Sequence, residues 1–415
     1  MKKISLFITM IIITTLHAQL LDLDECVNKA LKTHPDIKRF MLQVESSKSG
    51  VDIARADYLP QIQLNAEYDP TKTYVLPANG VFNTIESDGW QVGATINQKI
   101  WDFSKTTSNI KAQQLNEDAS KLTLEDAKAL LAYKVKLQYE LMFLQKEAIK
   151  VRQKDLHAKE ELHKQAEALV KLGMKTNADA TRFLSSVYIA KDNLAIAQAS
   201  FSKAKTILSL YINEPIDKDA QLQDTLSESS WLEEDEQSVL RNSHVLKSLK
   251  ENINKNDLSY KAAQASHYGS VDALASYTHQ DTLNEYDSTL VGITLNIPLY
   301  SGGRTSALVQ QSLINKQSAE LEYNSKELVL QEEFESLLID LKRYKQTIPA
   351  KKSQLQAAHQ TKLLIDARYK EGLSTYIEVL DAAALALDAE LGLLQAQYER
   401  SSTIHRLEYL QGKTI

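Results

Sequence analysis

Four short stretches of the chain alternate apolar with polar residues at period two. Ile62, Leu64, Ala66 and Tyr68 alternate with Gln61, Gln63, Asn65 and Glu67, and Trp90, Val92, Ala94 and Ile96 alternate with Gln91, Gly93, Thr95 and Asn97. Two later stretches carry Val271, Ala273, Ala275 and Tyr277, then Val291, Ile293, Leu295 and Ile297 on one side. Successive strand residues face opposite sides, so the pattern predicts strands at about 61–70, 89–101, 270–280 and 288–300, each with one apolar face.

After each strand pair the period lengthens. Between Trp101 and Pro215 there is no proline and a single glycine, Gly173. That predicts two helices joined at one turn, a hairpin over about 103–212. The arm from Phe103 to Lys171 would be a rod of roughly 100 Å at the helical rise. Leu130, Leu137, Leu144 and Val151 recur every seven residues, with Leu141 and Ala148 between them, so coiled-coil packing is expected. A second hairpin over about 302–411 repeats the pattern with Phe334, Leu341 and Ile348, and Pro349 should bend it.

The two halves are copies of one unit. Leu172-Gly173-Met174-Lys175-Thr176 falls on Glu371-Gly372-Leu373-Ser374-Thr375 at an offset of 199, and Trp101 falls on Tyr300. Upstream the offset is 209, pairing Ala54 with Ala263, Ala56 with Ala265 and Tyr68 with Tyr277. The first copy therefore holds about ten extra residues between Tyr68 and Thr95, read as a longer strand loop from about Asp69 to Gly89. The organisation that follows is a first repeat over 19–212, a linker over 213–237 and a second repeat over 238–415. Both hairpin tips carry the same device: a glycine suited to the left-handed end of a helix, then Thr-x-x-acid as a capping box, Thr176 to Asp179 and Thr375 to Glu378.

Composition changes this picture little. Only 12 glycines and 7 prolines in 415 residues favour long regular elements. The 54 acids and 48 bases are spread along the chain, giving a net charge of −6 and no basic tract for nucleic acid. Lys2 and Lys3 precede an apolar run from Ile4 to Leu16, so residues 1–18 read as an export signal rather than an anchor. The lone Cys26 reads as an ordinary helix residue.

The four apolar strand faces need a cover, and most of each repeat is consumed by extended helices. Either the strands form a soluble sheet on a core, or they line a membrane barrel with lipid outside and water inside. Tyr68, Trp90, Trp101, Tyr277 and Tyr300 near strand ends suit the aromatic girdles of the second. Four strands cannot close a barrel, because lipid tolerates no free edge, so the chain must oligomerise. Periodicity alone permits two, three or four copies.

The opening Leu21-Asp22-Leu23-Asp24-Glu25-Cys26-Val27 through Ala30-Leu31 and His34-Pro35, the corner Ile297-Pro298-Leu299-Tyr300-Ser301-Gly302-Gly303-Arg304, and Arg368-Tyr369 followed by Gly372 and Glu378-Val379-Leu380-Asp381-Ala382 together resemble the TolC-type outer membrane efflux protein family. The likeness spans nearly the whole mature chain, with Cys26 where the family usually has alanine. It implies an α+β membrane protein: a homotrimer whose 12-stranded β-barrel, four strands per chain, continues into a helical coiled-coil barrel through the periplasm. It also implies a passive exit duct for efflux or type I secretion. The duct would sit in outer membrane lipid with a periplasmic adaptor (membrane fusion) protein and a proton-driven or ATP-driven inner-membrane pump.

The resemblance places Asp179, Glu378 and Asp381 near the family's constriction, where threefold carboxylate rings would favour cations and where crowding would raise some of their pKa values. For Asp179 and Glu378 a capping role is an equal reading. Tyr369 matches a position whose hydroxyl helps to tie the tip shut against an acid such as Asp179, with a purely structural packing role an equal reading. Some members place a base two residues after the tip glycine; here that position is Ser374, and the first repeat offers Lys175 instead. Gly173, Thr176, Gly372, Ser374 and Thr375 are the expected adaptor contacts. His157 and His163 do not share a helix face, and no phosphate loop or nucleophile elbow occurs, so neither a metal, a cofactor nor an enzyme is expected. The competing reading is a periplasmic coiled-coil scaffold or adaptor without a membrane barrel.

Overall fold

The computed structural model describes residues 20–78, 80–217, 220–223 and 235–414; the expected signal at 1–18 and most of the expected linker at 213–237 lie outside them. In chain order the elements are β1 (Leu20–Leu21), α1 (Leu23–Thr33), α2 (Pro35–Ala56), β2 (Gln61–Ala78), β3 (Val81–Trp101), α3 (Lys105–Lys171) and α4 (Asn177–Ile212). There follow β4 (Gln221–Leu222), α5 (Glu236–Asn242), α6 (His244–Ala265), β5 (Ser270–Asp281), β6 (Glu285–Asn296), α7 (Arg304–Lys370) and α8 (Tyr376–Leu410). The repeat is visible in the lengths: α3 and α7 have 67 residues each, and α4 and α8 have 36 and 35. Pro349 stays inside α7 and does not end it.

Two compact units emerge from the contacts, one from the described residues within 1–37, 128–234 and 333–415, the other from Lys38–Ala127 and Asp235–Glu332. The second unit holds an antiparallel sheet in the order β2-β3-β5-β6. Its register lines up one apolar face across the strands. Ile62, Ile96, Ala275 and Val291 make one row, and Leu64, Ala94, Tyr277 and Thr289 the next. This face is bare within one chain: Leu64 is 75% exposed and Val291 79%. The opposite face carries Gln63, Thr95, Ser276 and, four residues along, Glu67 and Gln91, whose side chains hydrogen-bond.

The first hairpin differs from its expected form. Rather than a loop from Asp69 to Gly89, β2 and β3 stay paired as far as Ala78 and Val81. Pro70 falls at a register shift and Pro77 on an edge strand, the two places where a missing N–H is tolerated. The second hairpin also starts earlier, with β6 at Glu285 rather than 288, and ends at Asn296.

In the first unit Asp22 caps α1 by accepting from the Glu25 amide at 3.2 Å, and Cys26, Val27 and Ala30 are buried on one face of that helix. The Tyr139 hydroxyl donates to the Leu21 carbonyl at 2.8 Å and Thr33 Oγ1 to the Ile212 carbonyl at 2.9 Å, tying β1 and α1 to the long helices. The expected heptads of α3 hold in part: Leu144 and Val151 are buried, while Leu130, Leu137, Leu141 and Ala148 are half-buried and a second stripe, Ala132, Val135, Tyr139 and Met142, is more deeply buried. A helix contacted on more than one side buries more than one stripe, and the leucine heptads mark only one of them.

Candidate functional site

The two hairpin tips are built alike, from local chemistry. At the end of α3 the Gly173 amide donates to the Val170 carbonyl and Met174 to Leu169; at the end of α7 Gly372 donates to Tyr369 and Leu373 to Arg368. Both glycines are left-handed, at φ 73° and 76°, which completes a Schellman ending in each copy. Thr176 and Thr375 then open α4 and α8 with full capping boxes. Asp179 accepts from the Thr176 amide and hydroxyl, both at 3.0 Å, and Glu378 accepts from the Thr375 amide at 2.7 Å. These bonds hold the exposed Glu378 carboxyl below its ordinary range, assisted by the charges of Arg368 and Lys175. Within one chain this is opposite to the upward shift that crowding was expected to cause.

Between the tips a small core forms from Leu162, Ala166, Phe183, Tyr369 and Val379. Tyr369 is fully buried and meets Phe183 edge-on at 5.5 Å between centroids. Among the described residues of one chain its hydroxyl has no hydrogen-bond partner, so Tyr369 serves here as a packing residue and the Asp179 carboxylate is taken up by its own cap. Burial, with the Asp179 charge adding to it, pushes the phenol above its ordinary pKa. Lys175 spans the two tips: Nζ donates to the Ser374 carbonyl at 3.1 Å and lies 5.2 Å from the centre of the Tyr369 ring. Lys175 and Ser374 are the equivalent positions of the two repeats, 199 residues apart. Asp381 is exposed, one turn beyond the Glu378 cap.

One expected adaptor contact needs correction. Ser374 is only 3% exposed, because its backbone is drawn under Lys175, whereas Gly173, Thr176, Gly372 and Thr375 are exposed. Beside them Leu172, Met174 and Leu373 stand out as exposed apolar side chains, a consequence of the tight glycine turns.

A second polar cluster escaped the sequence reading. His405 on α8 bonds Glu140 Oε1 through Nε2 and Glu408 Oε2 through Nδ1, each at 3.0 Å, and Lys136 Nζ reaches the same Glu408 oxygen at 3.0 Å. Ser401 Oγ also donates to Glu140 Oε1. Burial alone would lower the imidazole pKa, but the two carboxylates outweigh it and raise it to about 9. Burial likewise opposes ionisation of Glu408, yet His405 and Lys136 bring it down to about 2. Among the described residues no group of three or more His, Cys, Asp or Glu side chains is arranged to hold a metal ion. His163 is engaged with the Ala180 carbonyl at 3.1 Å.

The family described as outer membrane efflux protein matches this chain over residues 26–214 and 237–413. The chain belongs to that family. It is 24% identical over 383 residues to the outer membrane efflux protein BepC of Brucella suis, covering 89% of this chain and 81% of the relative. It is 22% identical over 415 residues to the outer membrane protein TolC of Vibrio cholerae, covering 94% and 90%. Solved structures share the fold: VceC of Vibrio cholerae superposes with a TM-score of 0.84 at 16% identity over 94% of this chain and 96% of that one. CusC does so with 0.85 at 18% identity, over 94% and 92%. The family is one of outer-membrane efflux channels, not enzymes, which answers the choice between a barrel protein and a soluble scaffold: this is an α+β channel chain of the outer membrane, contributing four strands.

Proposed function

We propose that three copies of this chain close a 12-stranded barrel in outer membrane lipid and a helical tunnel through the periplasm, the passive exit duct of an efflux or type I secretion system. The observation that carries the closure is the pair of edge strands β2 and β6 beside a bare apolar face. Free edges cannot persist in lipid, so β6 of one copy pairs with β2 of the next. Energy comes from a proton-driven or ATP-driven inner-membrane pump. A periplasmic adaptor docks at the tips, where Leu172, Met174 and Leu373 offer apolar contact around Gly173, Thr176, Gly372 and Thr375.

The same tips form the gate. Lys175 holds the two hairpins together across Tyr369, and closure is supported by its hydrogen bond to a carbonyl that has no counterpart within either cap. Asp179, Glu378 and Asp381, repeated by threefold symmetry, set a negative potential at the constriction that favours cations. Reconstitution in planar bilayers tests both ideas. Lys175→Ala should raise the open probability; unchanged conductance and closure would remove Lys175 from the gate. The double change Glu378→Gln, Asp381→Asn should reduce cation preference, and an unaltered reversal potential in a salt gradient would end the acidic-ring reading.

A further inference from the structure

The β2–β3 hairpin outruns the rest of the sheet. β5 and β6 turn back at Asp281 and Glu285, level with Trp90 on β3, whereas β2 and β3 remain paired to Ala78 and Val81. About eight residue pairs therefore stand beyond the four-stranded sheet, roughly 25 Å at the strand rise.

A bulge lies at the base of this extension. β2 places Pro70 and Thr71 between its pairs at Asp69 and Lys72, while β3 places only Asp88 between Gly89 and Ser87. The extra residue inverts the side-chain parity of β2 but not of β3. Below the bulge, the face that carries Glu67 and Gln91 is polar. On β3 that face continues through Ser87, Ile85, Asn83 and Val81, and the inversion brings Lys72, Tyr74 and Leu76 onto it as their neighbours. A face that is polar in the sheet thus gains Tyr74, Leu76, Val81 and Ile85 toward the tip of the extension, beside Asn83, while the other face mixes Val75 and Phe82 with Thr73, Thr84 and Glu86. Leu76, Val81 and Ile85 are 40%, 61% and 43% exposed there.

In the trimeric duct, on which this inference rests, the polar face of the sheet lines the lumen. The extension begins beyond the level of Tyr68 and Trp90 and inherits that orientation, so this face is turned toward the axis above the membrane. A barrel of 12 strands about 4.8 Å apart and tilted by about 40° has a radius of about 12 Å. Each hairpin is about twice as long as the distance to the axis. Only the first repeat makes one, so three hairpins, not six, surround the mouth. We propose that they lean inward and pack Tyr74, Leu76, Val81 and Ile85 against the same residues of the other two copies, forming an apolar cap over the external mouth. The duct is then closed at two places of different chemistry: polar and charged at the periplasmic tip, apolar at the cell surface.

Single cysteines in the full chain, in isolated outer membranes, test the cap; the native Cys26 is buried and only 1% exposed. Val81→Cys and Asn83→Cys lie on the inner face and Phe82→Cys on the outer. A short bismaleimide should link copies through positions 81 and 83 at least about fivefold more than through 82, the contrast expected of alternating strand faces. Two inner-face variants guard against one that misfolds. Trimers by sizing chromatography with equal or absent cross-links at the three positions would overturn the cap and leave the duct intact. A fluorophore at position 81 quenched by brominated lipid would overturn it too, since lipid would then be the occupant. Absence of trimers would overturn both readings.

Discussion

The two strand-to-helix corners follow the same backbone path with different residues. Phe103 and Ser104 sit at φ 55° and 69°, and their counterparts Gly302 and Gly303 at 62° and 82°. Left-handed geometry is nearly free for glycine and costs other residues on the order of 1 kcal/mol each. The first copy offsets that cost with contacts. Buried Asp102 accepts from the Thr106 amide at 2.8 Å and from its hydroxyl, and Phe103 packs beside Trp101 and Tyr268 with centroids 6.1 and 5.1 Å away. The second corner has the exposed Ser301, with the Thr305 amide 3.3 Å and the Thr305 hydroxyl 3.0 Å away, and leaves Leu299 and Tyr300 94% and 90% exposed. Duplication preserved the path, and the two copies then diverged in how firmly they hold it.

The largest effect is expected where the asymmetry involves buried charge. His405 and Glu408 correspond to Thr206 and Ser209 in the first repeat, so the ionic cluster exists in one copy only. Removing one partner of a buried pair costs about 4 kcal/mol, so His405→Gln should destabilise strongly while Thr206→Ala costs a few tenths. The pH dependence has a definite sign. The pKa of His405 is raised to about 9, so its contribution is complete below about 6.5 and is lost as pH rises through 9. The pKa of Glu408 is depressed to about 2, so its contribution is complete above about 4.5 and is lost as pH falls through 2. Denaturation midpoints of the detergent-solubilised protein between pH 6.5 and 10 should fall in the wild type and flatten in His405→Gln. A parallel fall in both would show that this cluster is not the titrating element.

What could be read in advance follows the range of the interactions. The tips were legible because glycine, threonine and acid act within four residues of one another, and the strand faces because alternation is local. The hairpin extension was missed because the ten or so extra residues of the first copy read as a loop, although Asn79-Gly80 is the strongest short-range hairpin signal and was present. Glu140 and His405, 265 residues apart, carry no mutual sign in the sequence. Of the two readings of Tyr369, one chain shows the packing one: Asp179 could serve a local cap or a distant hydroxyl, and within the chain the local partner, already within reach in its own turn, takes it.

A smaller effect separates the two corner caps. Asp102→Ala leaves buried Thr106 without its acceptor and should cost about 2 kcal/mol, whereas Ser301→Ala, at an exposed and longer bond, should cost about 0.5 kcal/mol. Equal losses in urea midpoints would mean that the first corner is held by its aromatic contacts rather than by its cap.

The smallest change asks whether the first corner is strained at all. Ser104→Gly relieves the left-handed cost of about 1 kcal/mol but adds freedom to the unfolded chain worth roughly half of that, so a net gain of about 0.5 kcal/mol is expected. The reverse change, Gly303→Ser, incurs the same strain in the other copy and the opposite unfolded-chain contribution, and no atom lies within 4 Å of the added Cβ to add a contact term. Opposite signs of similar size would make the two corners one backbone with two solutions. If Ser104→Gly destabilised instead, the serine would be contributing more than it costs. The Thr107 hydroxyl, which donates to the Ser104 carbonyl at 3.1 Å, would then be the first bond to examine, because it depends on the angle that the left-handed residue sets.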